Sequence, residues 1–165
     1  MKSGTVDVDI YAEYDVKRGF RDSFGKGVLT SLTEISDVES FGYIDGEKLP
    51  IDGELYYQGV NVEYLVRGEA NRRFAFEETT YLLLFGKLPT KAQLREFIDI
   101  LGIYRELPDT FVRDVIMKAP SSNMMNTLQQ CVLTMYSYDQ RPEDISVGNV
   151  LLQPLPLIAQ FTPYS

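Results

Sequence analysis

The stretch Phe74-Ala75-Phe76-Glu77-Glu78-Thr79-Thr80-Tyr81-Leu82-Leu83-Leu84-Phe85-Gly86-Lys87-Leu88-Pro89-Thr90 decides the fold class. It reads as one helix, Phe76 to Phe85, and the approach to another. Glu77 and Glu78 stand near its start, where carboxylates favour the helix dipole. Phe76, Leu83 and Leu84 supply the apolar side, Gly86 closes the helix, and Pro89 follows as a stop. Thr90 and Gln93 fit a capping box opening a second helix over Lys91 to about Tyr104, with Leu94, Phe97, Ile98 and Leu101 as its stripe.

Helical signals continue towards the C-terminus. Pro108 and Asp109 open a short helix with Phe111, Val112, Val115 and Ile116 inward, ended by Pro120. Ser121 or Ser122 caps a longer one running through Tyr138. Pro142, followed by Glu143 and Asp144, suits the first turn of a last helix. That helix is expected to break near Leu152, because Pro154 and Pro156 each remove a backbone donor and clash with the preceding turn. The chain then stops at Ser165 inside an apolar run, which reads as a shortened end.

Working the other way from Phe74, Asn61 caps a helix over Val62–Val66 that Gly68 ends. Before Gly59 the texture changes to glycine punctuation with β-branched and aromatic residues. Val28–Thr33 is expected to be a strand, and Asp45-Gly46 and Asp52-Gly53 to be turns between short extended pieces. Glu54-Leu55-Tyr56-Tyr57 is the last such piece; Tyr56 and Tyr57 alternate across it, so one faces inward and one outward. The first sixteen residues, apart from Asp7-Val8-Asp9-Ile10-Tyr11, suit a loosely attached arm or short helix. The expectation is a mainly α chain with a small N-terminal β-hairpin lobe: an arm at 1–18, the β-rich lobe at 19–60 and a helical part at 61–165.

Composition narrows the function. The 165 residues carry 24 Asp+Glu against 16 Lys+Arg, a net charge of −8 that opposes nucleic acid and anionic membrane surfaces. A chain this long removes roughly 70% of its unfolded surface from water on folding, enough for a real core. The single cysteine, Cys131, forms no internal disulfide, fits a reducing cytoplasmic compartment and rules out a Cys-built zinc site. There are no histidines, so chemistry that needs imidazole as acid, base or ligand is outside this chain's own means.

The usual catalytic constellations are absent as well. No phosphate-cradling glycine loop, nucleophile elbow or zinc helix motif occurs. Asp7 and Asp9 begin like a calcium loop, but Tyr11 replaces the third oxygen ligand. Glu77 and Glu78 diverge by about 100° on a helix and read as a solvated face. Lys17, Arg18, Arg21 and Lys26 form a basic cluster that either meets a phosphate or simply balances the acidic surface, the second reading being preferred. Cys131 lies on an apolar stripe and reads as a small hydrophobe. Neither a cofactor nor a metal site is expected.

The segment 122–138 carries the one candidate site. Met125, Leu128, Val132 and Met135 recur at spacings of three, four and three, the seam of a helix packed along another. Met124, Cys131 and Tyr136 widen the stripe. Two readings stand: a central core helix, or a subunit interface formed by Met124, Met125, Leu128, Val132 and Met135.

The order of these segments resembles the N-terminal part of citrate synthases, especially the type of anaerobic Gram-positive bacteria. The match is carried by Tyr14–Asp22 with Gly27–Ser36, by Gly53–Val60, by Phe74–Thr90 and by Lys118–Leu128 continuing to Tyr136–Asp139. The resemblance implies a nearly all-α homodimer that condenses acetyl-CoA with oxaloacetate and hydrolyses citryl-CoA. It further implies an Asp base and two His residues in motifs that this chain does not contain. Gln58 stands where the family commonly has Arg, and Asn123-Met124 where many members have His-Pro. Pro154 and Pro156 fall in a helix that the resemblance places at the dimer interface, together with 122–138. The expectation is therefore an N-terminal citrate synthase fragment, a scaffold and interface piece inactive alone. Its parent would take acetyl-CoA and oxaloacetate, or propionyl-CoA to give methylcitrate. The alternative is a stand-alone, non-catalytic helical association module.

Overall fold

The computed structural model describes residues 6–17, 19–21, 23–25, 28, 31–67, 74–118 and 120–164. The chain divides into two compact units, residues 1–90 and 91–165.

The first unit opens with α1 (Val8–Glu13), capped by Asp7, whose carboxylate accepts from the Asp9 amide at 3.1 Å. Of the basic cluster, Lys17 pairs with Asp15 and Arg21 donates to the Gly25 carbonyl at 2.8 Å, while Arg18 and Lys26 lie outside the described residues. The two described members thus serve local structure.

A three-stranded antiparallel sheet follows: β1 (Ser36–Ile44), β2 (Glu47–Tyr57) and β3 (Val60–Asn61), in that order. Asp45 (φ 53°) and Gly46 (φ 82°) form the two-residue β1–β2 turn, both left-handed, as the twist of a tight hairpin requires. Of the strand expected at Val28–Thr33, the described residues Val28 and Ser31–Thr33 are irregular, and Leu29 and Thr30 lie outside the described residues. The ladder closes instead at Ile35, whose carbonyl accepts from Gln58 at 2.8 Å where β2 turns back. Nor is Asp52-Gly53 a turn. Glu39 pairs with Glu54 and Phe41 with Pro50, so Ile51, Asp52 and Gly53 oppose Ser40 alone. The glycine marks a bulge in a continuous strand.

α2 (Val62–Arg67) starts under Asn61, which accepts from the Glu63 amide at 2.8 Å as the sequence indicates. The Gly68 stop lies outside the described residues. α3 (Ala75–Phe85) ends at Gly86 in the left-handed conformation, its amide on the Leu82 carbonyl at 2.8 Å. Its inward side differs from expectation: Leu82 and Thr80 are buried, whereas Phe76 is 65% exposed. Three consecutive leucines cover about 200° of a helix, so the pattern alone does not say which one faces in.

The second unit packs α4 (Lys91–Tyr104) along α7 (Pro154–Tyr164) and α5 (Met124–Met135) against α7 and a π-helical turn, Val112–Ile116. α4 keeps its predicted bounds, with Phe97 and Leu101 buried one turn apart. The expected α-helix after Pro108 is wound more widely: the Met117 amide bonds the Val112 carbonyl at 2.9 Å, and Thr110 precedes it at φ 68°. Phe111, Val115 and Ile116 face the core, but Val112 is 47% exposed. Adjacent helical residues diverge, so a core-facing Phe111 turns Val112 away.

The cap of α5 is Asn123 rather than either serine. Its side chain accepts from the Asn126 amide at 3.2 Å, while Ser121 Oγ takes the Asn123 amide at 3.1 Å in the turn before. α5 passes into a 3₁₀ turn, Tyr136–Tyr138. No helix starts at Pro142. Asp139 accepts from the Arg141 amide (2.8 Å) and Asp144 from the Ser146 amide (2.9 Å), and such side-chain turns compete with helix. The Ser146 amide bond also holds the Asp144 carboxyl below its ordinary range. α6 (Val147–Leu152) begins instead under Ser146. The break after Leu152 is as expected: Pro154 and Pro156 fall in the first turn of α7, where their missing donors would be unpaired anyway.

Candidate association surface

The core of the second unit explains how α5 presents its side chains. Phe111 and Cys131 are fully buried, with Leu107, Val115, Ile116, Leu128 and Met135 packed around them. Tyr138 meets the Phe111 ring edge-on, centroids 6.0 Å apart. Burial pushes the Cys131 thiol up, and its place in the core fits the small-hydrophobe reading. Cys131 is therefore expected to resist a thiol reagent such as DTNB at pH 8 in the folded chain and to react within the mixing time in denaturant. Rapid labelling of the native chain would place the thiol outside this core.

Leu128, Cys131 and Met135 touch this core, whereas Met124, Met125 and Leu133 are exposed. Met125, Leu128, Gln129, Val132 and Leu133 of α5 and Phe161 of α7 line an open, largely apolar groove of about 510 Å³. A second groove of about 1060 Å³ shares Val132 and Leu133 and is rimmed by Tyr104, Tyr136, Gln153 and Leu157 among others. Its polar edge is built from well-anchored amides. Asn149, 6% exposed, donates to the Arg141 and Asp144 carbonyls at 3.1 and 2.8 Å. Gln160, 4% exposed, donates to the Glu106 carbonyl at 3.2 Å, and Gln153 donates to Asp139 at 3.0 Å. Tyr136 donates its hydroxyl to Glu143, which pushes the phenol up. The result is a hydrogen-bonded frame around exposed aliphatic and aromatic carbon.

The five residues of the candidate interface divide. Met125, Leu128 and Val132 come together in the smaller groove, Val132 and Met135 line the larger, and Met124, 63% exposed, lines neither. Leu128 and Met135 also pack on the core. Among the described residues, no group of three or more Cys, Asp or Glu is arranged to hold a metal, and no helix is long and apolar enough to cross a membrane.

The family model described as "Citrate synthase, C-terminal domain" matches residues 24–164. The chain belongs to the citrate synthase family. It is 34% identical over 139 residues to 2-methylcitrate synthase 1 of Corynebacterium glutamicum, covering 80% of this chain and 32% of the relative. It is 32% identical over 143 residues to citrate synthase of Haloferax volcanii, covering 84% and 32%. Citrate synthase of Pyrobaculum aerophilum superposes with a TM-score of 0.63 at 28% identity, over 87% of this chain and 36% of that one. Citrate synthase of the thermophilic archaeon Thermoplasma acidophilum, solved with carboxymethyl coenzyme A and oxaloacetate, shares the fold at a TM-score of 0.64 and 21% identity, over 81% and 31%. The chain thus spans about a third of the length of these relatives.

Spacing alone missed two residues that line these grooves. Leu133 is 75% exposed and lines both grooves, and Phe161 is 46% exposed. A signal for the first was present. Cys131-Val132-Leu133 is a three-residue apolar run spanning about 200° of a helix, too wide for one face, so one member had to point away from the core. Phe161 carried no comparable signal, because its face depends on where α7 begins.

Proposed function

We propose that this chain is the framework and association part of a citrate-synthase-family enzyme, with the reacting groups supplied by other polypeptide. Residues 61–165 serve as helical scaffold, following the 1–18 arm and the 19–60 β lobe in sequence, in the cytoplasm. The observation that carries this reading is the absence of histidine from all 165 residues of a chain in a family whose resemblance implies imidazole at the reacting carbonyl and enol oxygens. Removing a methyl proton next to a thioester needs a base and a hydrogen-bond donor on opposite sides of the acyl group. The α5–α7 groove has no such pair among its lining residues. Its exposed carbon suits packing against a second copy of the chain instead.

The test is thiol release from acetyl-CoA with oxaloacetate by the purified chain. The expected rate equals the no-protein background. Turnover above it, after removal of host enzyme, would assign the reacting groups to these residues and overturn the reading. Propionyl-CoA belongs in the same assay, because relatives at 34% and 30% identity are 2-methylcitrate synthases.

A further inference from the structure

The β1–β2 hairpin lies outside the function proposed above. Eight of the nine β1 residues are exposed, and β1 pairs with β2 alone, leaving its outer backbone edge open among the described residues. Val38, Tyr43 and Ile44 are 66%, 70% and 61% exposed along it. A two-stranded ribbon with so much bare carbon is marginal by itself. Its charge is one-sided: Asp37, Glu39, Asp45, Glu47, Asp52 and Glu54 stand against Lys48 alone, and that lysine sits over the Phe41 ring at 3.3 Å. Glu39 lies directly opposite Glu54 in the register, a like-charge pair that costs stability. Tyr56 and Asn61 donate to Glu54, whereas the carboxylates of Asp37 and Glu39 have no hydrogen-bond or ion-pair partner among the described residues.

We infer that the outer edge of β1 is a docking edge for an extended, basic polypeptide strand. Strand addition satisfies the open amides and carbonyls of the edge, and side-chain alternation then sets what fits. Asp37 and Glu39 share one face of β1 and Val38 the other, so the incoming strand carries cations at alternate positions with apolar residues between. A second copy of β1 is the wrong occupant. Its own Asp37 and Glu39 would be brought beside these, and juxtaposed like charges exclude a partner. Acidic side chains on an edge ordinarily guard against such self-pairing; here the same charges leave the edge open to a strand of opposite sign.

The test uses the 165-residue chain and a fluorescein-labelled heptapeptide alternating lysine and valine. A peptide of the same composition with the lysines and valines in separate blocks serves as control. Expected are binding at least tenfold tighter for the alternating peptide and new hydrogen-exchange protection across Val38–Gly42. The Asp37→Lys/Glu39→Lys chain should lose at least tenfold, and so should the nearly isosteric Asp37→Asn/Glu39→Gln chain, with its circular dichroism unchanged. A Glu13→Lys/Glu96→Lys chain, altered by the same net charge elsewhere, should bind as the parent does. Equal binding of both peptides, or equal loss in the Glu13/Glu96 chain, would reduce the effect to net charge and overturn the inference. Protection of β1 amides that appears with protein concentration and without peptide would make a second copy the occupant and overturn it too.

Discussion

Replacing Phe111 with alanine is expected to destabilise the 91–165 unit by about 3–5 kcal/mol, the usual cost of deleting a buried aromatic ring. Phe111 has no exposed surface and sits with Cys131 at the centre of the cluster that seats α5 on the π-helical turn. The turn cannot easily collapse into the space left behind. Thr110 holds a left-handed backbone at φ 68°, and the Met117-to-Val112 bond fixes the wider winding. Total stabilities of domains run about 5–15 kcal/mol, so the variant should lose a large share of its stability. The measurement is the urea midpoint of the far-ultraviolet circular dichroism. Val112→Ala is the matched control, since that neighbour is 47% exposed and should change stability by only about 0.5 kcal/mol. Similar shifts for both variants would move the core away from Phe111.

The contrast between Phe111 and Val112 also shows what sequence could and could not reveal. Both are apolar, adjacent and within the predicted short helix. Packing against Cys131 of α5 covers Phe111 and leaves Val112 exposed. Local chemistry was legible wherever one residue settles the backbone. Asp45-Gly46 forms its turn, Asn61 its cap and Gly86 its left-handed stop, each through a contact within a few residues. Asp52-Gly53 has the same dipeptide chemistry but became a bulge, because strand register is a property of two segments and not of one. The Pro142 start failed for a related reason: Asp139 and Asp144 captured the amides that a helix would have used. On the candidate surface, the three-four-three spacing located α5 and named three of the residues lining its smaller groove. It did not tell the inward members from the outward ones, because that split is set by the Phe111–Cys131 contact across the unit.

That split leads to the last expected result. If the α5–α7 groove packs against a second copy, Leu133→Asp should abolish association that the parent chain shows at tens of micromolar by sedimentation equilibrium. Leu133 is 75% exposed in the single chain and lines both grooves, so it has the most carbon still to cover. Burying a leucine side chain is worth about 1.5–3 kcal/mol. In a two-fold interface each substitution counts twice, which doubles the loss to about 3–6 kcal/mol. At 1.4 kcal/mol per factor of ten, the dissociation constant should rise at least about a hundredfold. An aspartate stranded in an apolar groove adds further cost, since no cation lies among the residues lining the smaller groove. Val66→Asp gives the comparison. Val66 is 77% exposed on α2, and the substitution changes the chain's charge equally without touching the grooves. The two variants must diverge, with Leu133→Asp running as a monomer and Val66→Asp as the parent. A parent chain that is itself a well-behaved monomer at high concentration would remove the α5–α7 face from consideration, as would equal behaviour of the two variants.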